Sequence, residues 1–216
     1  MIKIMETNTM KTYQLPLFPL NLVIFPNGLL PLRIFEARYL DMIKACIRNH
    51  TLFGVVAVYP NQKLNDAPKS VLPFAKVGTT FSIIDSDFSQ PGLISIRCLG
   101  QQRFRIHTAA QQADGLWIGD VEDIAQDIEI AIPDDLLGTK VHMQKLIDAI
   151  LAQGVSDIEM PIGKPYQLDD CAWVANRWCE LINMPLPQKQ LLLELDSPLV
   201  RLELVHDILN NANAQN

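Results

Sequence analysis

The chain has 216 residues, a length that suits one large domain or two small ones. Apolar residues make up 49% of it, which is enough to bury a core and excludes an intrinsically disordered chain. The net charge of −6 is unevenly distributed. Residues 1–125 hold 12 Lys and Arg and 10 Asp and Glu, whereas residues 126–216 hold 6 Lys and Arg and 14 Asp and Glu. The acidic second half therefore does not attract a phosphate backbone.

The sequence shows no targeting signal, and its cysteines lack the spacing of a metal or redox motif. These two observations indicate a cytoplasmic protein without membrane contact. The longest apolar runs fall far short of the ~20 residues that span a bilayer. The N-terminus has neither the apolar core nor the cleavage site of a signal peptide. No CxxC spacing occurs, which favours buried thiols over a disulfide framework. The cysteines are Cys46, Cys98, Cys171 and Cys179.

The chain begins with a polar stretch, residues 1–11, that predicts a flexible tail. Two short apolar runs follow and are broken by prolines, which are confined to strand edges, strand starts and turns; they predict strands at 13–18 and 22–26. The dipeptide Asn27-Gly28 favours a tight turn with positive φ. From Glu36 to Arg48 apolar residues recur every three or four positions, which predicts a helix.

Strands dominate the next part of the chain. Residues 53–58 are a continuous apolar run typical of a buried strand. Residues 59–73 are rich in Pro, Asn and Asp, which predicts a long loop. Turn signals separate the further predicted strands, which are 78–85, 93–99, 103–107 and 116–123.

Helices dominate the rest of the chain. Caps and apolar spacing predict helices that begin near Leu136, Asp169 or Asp170, Pro187 and Ser197. Strands followed by helices indicate an α+β fold. We divide it into a strand-rich subdomain, residues 12–125, and an α-helical subdomain, residues 126–216.

Several sequence blocks are more specific than these patterns. They are LPLFPL at 15–20, VIFPNGLLPLRIFEARY at 23–39, FGVV at 53–56, VGT at 77–79, GQQRFRI at 100–106 and LLLELDSPLVRL at 191–202. Together and in this order they resemble the N-terminal, substrate-binding domain of Lon proteases over nearly the whole chain. One departure is Asn27, which separates Pro26 from Gly28 where many members have proline directly followed by glycine.

The resemblance implies a PUA-like β pseudo-barrel with one helix, followed by a helical bundle. It also implies binding rather than chemistry, because in Lon proteases this domain helps to engage unfolded protein while separate ATPase and Ser-Lys protease modules follow it. The chain ends at Asn216 with neither module. We therefore expect a free-standing, non-enzymatic module, with an adaptor role in protein quality control beside a separate protease as one hypothesis.

Catalytic motifs are missing from the sequence. The single Gly-Lys pair, Gly163-Lys164, has Ile158 and Pro165 where a phosphate-binding loop needs Gly and Ser or Thr. No serine stands in G-x-S-x-G, and the four histidines lack metal-ligand spacing. We therefore expect no catalytic residue, no metal and no cofactor.

The candidate binding surface is an apolar cluster around the start of the first helix. Most of its side chains are expected in the core. A minority are expected to line an exposed groove that accepts unfolded or extended polypeptide, by apolar contact or by strand addition at an open edge. The candidates are Leu29, Leu30, Leu32, Ile34, Phe35 and Tyr39, together with the loop at 59–73.

The alternative is an RNA-binding PUA-like protein. Arg103 and Arg105 lie two apart on a predicted strand and so point the same way, and Lys76 and Arg97 extend this basic face. The acidic balance of the chain favours instead a barrel face on which arginine stems cover apolar surface. We therefore do not expect nucleic acid as a partner, and keep RNA binding as the alternative.

Overall fold

The computed structural model describes residues 11–59 and 72–213, and within them the fold is α+β, as predicted. Most of the predicted tail and most of the predicted loop at 59–73 lie outside these residues. The strands are β1 Tyr13–Leu20, β2 Leu29–Ile34, β3 Phe53–Ala57, β4 Val77–Asp87, β5 Ile94–Gln111 and β6 Trp117–Asp123. The helices are α1 Ala37–Asn49, α2 Leu137–Ala152, α3 Cys171–Leu181, α4 Leu186–Glu194 and α5 Pro198–Asn213.

The six strands form one sheet that closes on itself. Their order is β2-β5-β4-β3-β1-β6, and β6 also pairs with β5, so five strands form a ring and β2 lies outside it. Phe104 fills the inside of the ring and is fully buried. A Cβ atom on Gly54 or Gly78 would approach the Phe104 ring to 2.6 or 2.8 Å, so glycine at these two positions makes room for it.

Helix α1 covers the part of the sheet that extends beyond the ring. Its buried residues share one hydrophobic cluster with β2 and with the first half of β5. Tyr39 stacks on Phe18 with ring centroids 4.0 Å apart. Cys46 belongs to this cluster, and all four cysteines are buried free thiols, which confirms the prediction from their spacing.

The predicted strand at 22–26 is wrong, and so is the predicted break between the strands at 93–99 and 103–107. Residues 22–26 form no strand, because their backbone is bonded to side chains: Phe25 N–H donates to Glu180 Oε1 and the Ile24 carbonyl accepts from the Thr79 hydroxyl. Residues 93–99 and 103–107 are halves of the single strand β5. Gly100 does not break it, because its N–H donates to the carbonyl of Gly28 and the ladder with β2 continues there.

The Phe25–Gly28 segment is a tight turn held by α3. Gly28 N–H donates to the Phe25 carbonyl at 3.0 Å, with Pro26 and then Asn27, at φ 64°, between them; this is the residue pattern of a type II turn. Arg177 Nη2 donates to the Pro26 carbonyl at 2.7 Å and pairs with Glu180 at 3.1 Å. A Cβ atom on Gly28 would overlap the Glu180 carboxylate, so this close approach requires glycine.

A buried ion network joins the strands to the C-terminal helices. The Asp127 carboxylate accepts from Arg103 Nη2 at 3.0 Å and from Arg201 Nη1 at 2.6 Å. The two guanidinium groups also donate to backbone carbonyls near the end of α4, which are those of Leu192, Leu193 and Leu195. Burial is tolerated because each guanidinium group is paired with Asp127 and also donates to backbone carbonyls.

We expect Asp127→Asn to destabilise the protein by about 3 kcal/mol, because it leaves two buried guanidinium groups without a counter-charge. Urea unfolding followed by the fluorescence of buried Trp173 measures the change. The matched control is Asp196→Asn: Asp196 also lies near Arg103, at 3.9 Å, but its side chain is 84% exposed, so we expect less than about 1 kcal/mol. An equal loss of unfolding free energy in Asp127→Asn and Asp196→Asn would contradict the role of Asp127 as the buried counter-charge.

We expect the stability of the protein to fall between pH 4.5 and 7 through Glu180. Burial raises the pKa of Glu180 from 4.5 to about 7, against the opposing charge of Arg177. The folded state therefore holds this proton more tightly than the unfolded chain, so the contribution is full below pH 4.5 and is lost as the pH rises through 7. Relative to Glu180→Gln, the wild type should lose up to about 3 kcal/mol over this range. The prediction would be refuted if the unfolding free energies of the wild type and of Glu180→Gln changed in parallel with pH.

Candidate functional site

The last part of β4 has a free edge. Strand β3 pairs with β4 only as far as Phe81, opposite Phe53. From Ser82 to Asp87, β4 pairs with β5 on one side, and no described strand pairs with it on the other. Unpaired backbone groups along a strand edge offer a template for another extended chain.

A β-bulge lies within this free edge. The register runs from Ile83 opposite Cys98 to Asp85 opposite Arg97, so Ile84 is an extra residue on β4. Bulges re-aim a side chain and are frequent beside functional sites. The side chain of Ile84 is 50% exposed.

Two clefts meet at Ile84. The first, which we call the edge cleft, has a volume of about 400 Å³ and lies between the free edge and the end of α1; its lining residues are Cys46, Ile47, His50, Thr51, Leu52 and residues 82–86. The second, which we call the loop cleft, has about 220 Å³; its lining residues are Leu29, Ile84, Arg97, Leu99, Asp157, Met160, Ile162, Gly163 and Lys164.

The edge cleft combines apolar and polar side chains with an open backbone. Leu52, 38% exposed, lies on the α1 side, and Ile84 lies on the β4 side. Helix α1 ends here because His50 adopts a left-handed conformation with φ 52°, and its N–H donates to the Cys46 carbonyl. Burial raises the pKa of the Cys46 thiol, so this cysteine is no activated nucleophile. The arrangement suits binding of a chain segment.

The loop cleft has an apolar floor and a charged rim. Arg97 Nη2 donates to the Asp157 carbonyl at 2.8 Å, and Lys164 Nζ pairs with the Asp157 carboxylate at 2.9 Å. The hydrogen bond and charge of Lys164 lower the pKa of Asp157. The cations at this rim are therefore already engaged with the loop.

The structure separates the six residues predicted to bind polypeptide. Leu30, Ile34 and Tyr39 are buried in the cluster beneath α1. Leu29 lines the loop cleft, Leu32 is half-buried and Phe35 is 71% exposed. These six side chains do not form one exposed groove, because β2 turns alternate residues towards α1. Binding through the exposed members stays a prediction.

Sequence reasoning missed Leu52 and Ile84. The available signal was the pair Ile83-Ile84, since two adjacent large apolar residues interrupt the alternation of a half-buried strand and indicate a bulge.

The structure separates the four cations of the RNA-binding alternative. Arg103 is 3% exposed because the C-terminal helices cover it, although it shares a face of β5 with Arg105. Arg105 Nε lies 4.0 Å from Glu122 Oε1, and Arg97 is bonded to the loop at Asp157. Lys76 is exposed. The four cations do not share one exposed face, because β5 passes beneath helices that a strand pattern does not reveal.

The described residues, 11–59 and 72–213, contain no cluster of three or more His, Cys, Asp or Glu placed to bind a metal ion. Within the same residues, no helix has the length and apolar content needed to cross a membrane.

Known proteins resemble this chain in sequence and in fold. The model of the ATP-dependent protease La (LON) substrate-binding domain matches residues 14–211. Lon protease 2 of Myxococcus xanthus is 25% identical over 201 residues, 91% of this chain and 23% of that protein. Protein cereblon of Danio rerio is 30% identical over 126 residues, 56% of this chain and 27% of that protein. The chain thus spans about a quarter of the length of the curated relatives it matches.

Solved structures give the same result. The crystal structure of a Lon N-terminal domain protein from Xanthomonas campestris superposes with a TM-score of 0.69 at 29% identity, covering 90% of this chain and 98% of that one. The N-terminal domain of the Mycobacterium avium complex Lon protease, at 16% identity and a TM-score of 0.56 over 90% of this chain and 97% of that one, shares the fold. The chain therefore belongs to the family of the ATP-dependent protease La (LON) substrate-binding domain.

Proposed function

We propose that this protein binds unfolded or extended polypeptide at the edge cleft. The observation that carries the proposal is the free edge of β4 beside a cleft that exposes the apolar side chains of Leu52 and Ile84. Family membership supports the same function, since the family is described as a substrate-binding domain. A volume of about 400 Å³ lies within the range of ligand sites in proteins, about 300–1,000 Å³.

Strand addition provides the affinity in this proposal. The backbone of the bound segment pairs with Ser82–Asp87, as strands pair elsewhere in the sheet. Its alternate side chains point to one face, so an apolar side chain enters the cleft and contacts Ile84 and Leu52. The site therefore accepts segments of many different sequences, because the main-chain hydrogen bonds do not depend on which side chains the bound segment carries.

We also propose that the protein acts without catalysis, as an adaptor in protein quality control in the cytoplasm that works beside a separate protease. The residues lining the two clefts support binding, since the pair of Asp157 and Lys164 is largely exposed to solvent and the Cys46 thiol is not activated. A PUA-like strand-rich part, residues 12–125, followed by a helical bundle, residues 126–216, belongs to the same proposal, and the closed five-strand ring supports it.

We expect Ile84→Asp to weaken the binding of a labelled, reduced and carboxymethylated model protein by about tenfold. In the wild type, binding buries the exposed half of the Ile84 side chain. The variant loses about 1.4 kcal/mol of binding free energy from this burial, which corresponds to a tenfold change in Kd. Fluorescence anisotropy measures the Kd. The control is Leu191→Asp on α4, because Leu191 is 65% exposed and lies outside both clefts; we expect less than about twofold change.

Two results would refute the edge cleft as the site. The first is equal weakening by Ile84→Asp and Leu191→Asp. The second is no binding of the unfolded model protein by the folded wild-type chain. Circular dichroism of each variant confirms that the fold is kept.

A further inference from the structure

We propose that the edge cleft selects extended segments that carry lysine or arginine next to an apolar residue. The inference rests on the proposed function and specifies its substrate class. Its basis is the charge along the free edge, where Asp85 and Asp87 follow the bulged Ile84.

Both carboxylates are exposed and lie on the same face of β4. Asp85 is opposite Arg97 and Asp87 is opposite Ser95 in a regular register, so their side chains point the same way. Neither forms an ion pair with a described residue. Arg97, the cation best placed to neutralise Asp85, donates instead to the Asp157 carbonyl across the loop cleft.

Local hydrogen bonds hold the two carboxylates in position. Asp85 Oδ1 accepts from the Ser86 N–H at 2.9 Å. Asp87 accepts from the N–H and the hydroxyl of Ser89 at 2.8 and 2.9 Å. These donors are neutral, so they add no opposing charge, and they hold both side chains in place at the edge before a partner arrives.

The opposite wall of the cleft does not neutralise this charge. Helix α1 contributes Cys46, Ile47 and His50 to the lining, whereas the cations on the last turns of that helix, Lys44 and Arg48, are outside it. Among the described residues, Asp85 is the single carboxylate that lines the cleft, and no lysine or arginine does. The net charge of −6 adds a weaker, long-range attraction for basic chains.

The same charges disfavour a second copy of this chain as the occupant. Antiparallel pairing of two β4 edges places the Asp85 and Asp87 side chains of one copy against those of the other. Like charges on directly opposed strands are destabilising. The favoured occupant is therefore a polypeptide with positive charge at alternate positions, which faces both carboxylates when it is added as a strand.

Three short labelled peptides of one apolar pattern test the inference. They carry two lysines, two glutamines or two glutamates, separated by one residue, and their Kd values are measured by fluorescence anisotropy at low and high salt. We expect the wild-type chain to bind the lysine peptide about tenfold more tightly than the glutamate peptide, and this ratio to shrink at high salt. In the double variant Asp85→Asn/Asp87→Asn the ratio should fall to about twofold.

The matched control removes two exposed carboxylates elsewhere, Glu203→Gln and Asp207→Asn on α5, and should keep the wild-type ratio. Equal wild-type affinity for all three peptides would overturn the charge selection and leave the proposed function standing. Absence of binding to the glutamine and lysine peptides alike would overturn both. A concentration-dependent dimer in sedimentation velocity that Ile84→Asp abolishes would assign the edge to a second copy and refute the inference.

Discussion

The buried carboxylate of Asp127 is the contact on which the placement of the helices against the sheet depends. One carboxylate serves two guanidinium groups, from β5 and from α5, and the spare donors of both groups bind carbonyls at the end of α4. Those carbonyls lack partners within the helix, so the arginines also cap α4. Strand, linker and helices are thereby fixed by one network, and each member is costly to remove because the others are buried.

The length of β5 explains the free edge of β4. Its second half completes the ring with β6, while its first half carries β2 and the end of β4 beyond the ring. Strand β3 begins only at Phe53, after α1 has crossed this extension, so it does not reach residues 82–87. The open edge and the cleft beside it are therefore consequences of closing the ring and covering its extension with one helix.

An open edge also invites self-association, and this one carries the features that oppose it. A bulge and exposed acidic residues are common means by which natural sheets keep edge strands from pairing with copies of themselves. Here the bulge aims Ile84 between two clefts and the acidic residues follow it directly. Protection against a second copy and preference for a positively charged segment thus arise from the same three side chains.

Local features of the chain were predictable from the sequence. The helical spacing located α1 and α5, Asp170 caps α3 through the N–H groups of Ala172 and Trp173, and the turn before Gly28 has its positive φ at Asn27. Family blocks identified the substrate-binding domain. These features depend on residues within a few positions of each other, so their physical cause is present in the sequence itself.

Only the tertiary structure decided which of these residues reach solvent. The sequence pattern placed Arg103 and Arg105 on the same side of a strand, yet helices about 90 residues later in the chain cover Arg103. It predicted a strand at 22–26, yet Glu180, from the far end of the chain, takes the Phe25 N–H. The free edge at 82–87 depends in the same way on where β3 begins. Each outcome is set by contacts between segments that are distant in the chain. Hydrophobic periodicity does not encode such contacts, because it indicates only which face of a single helix or strand is apolar.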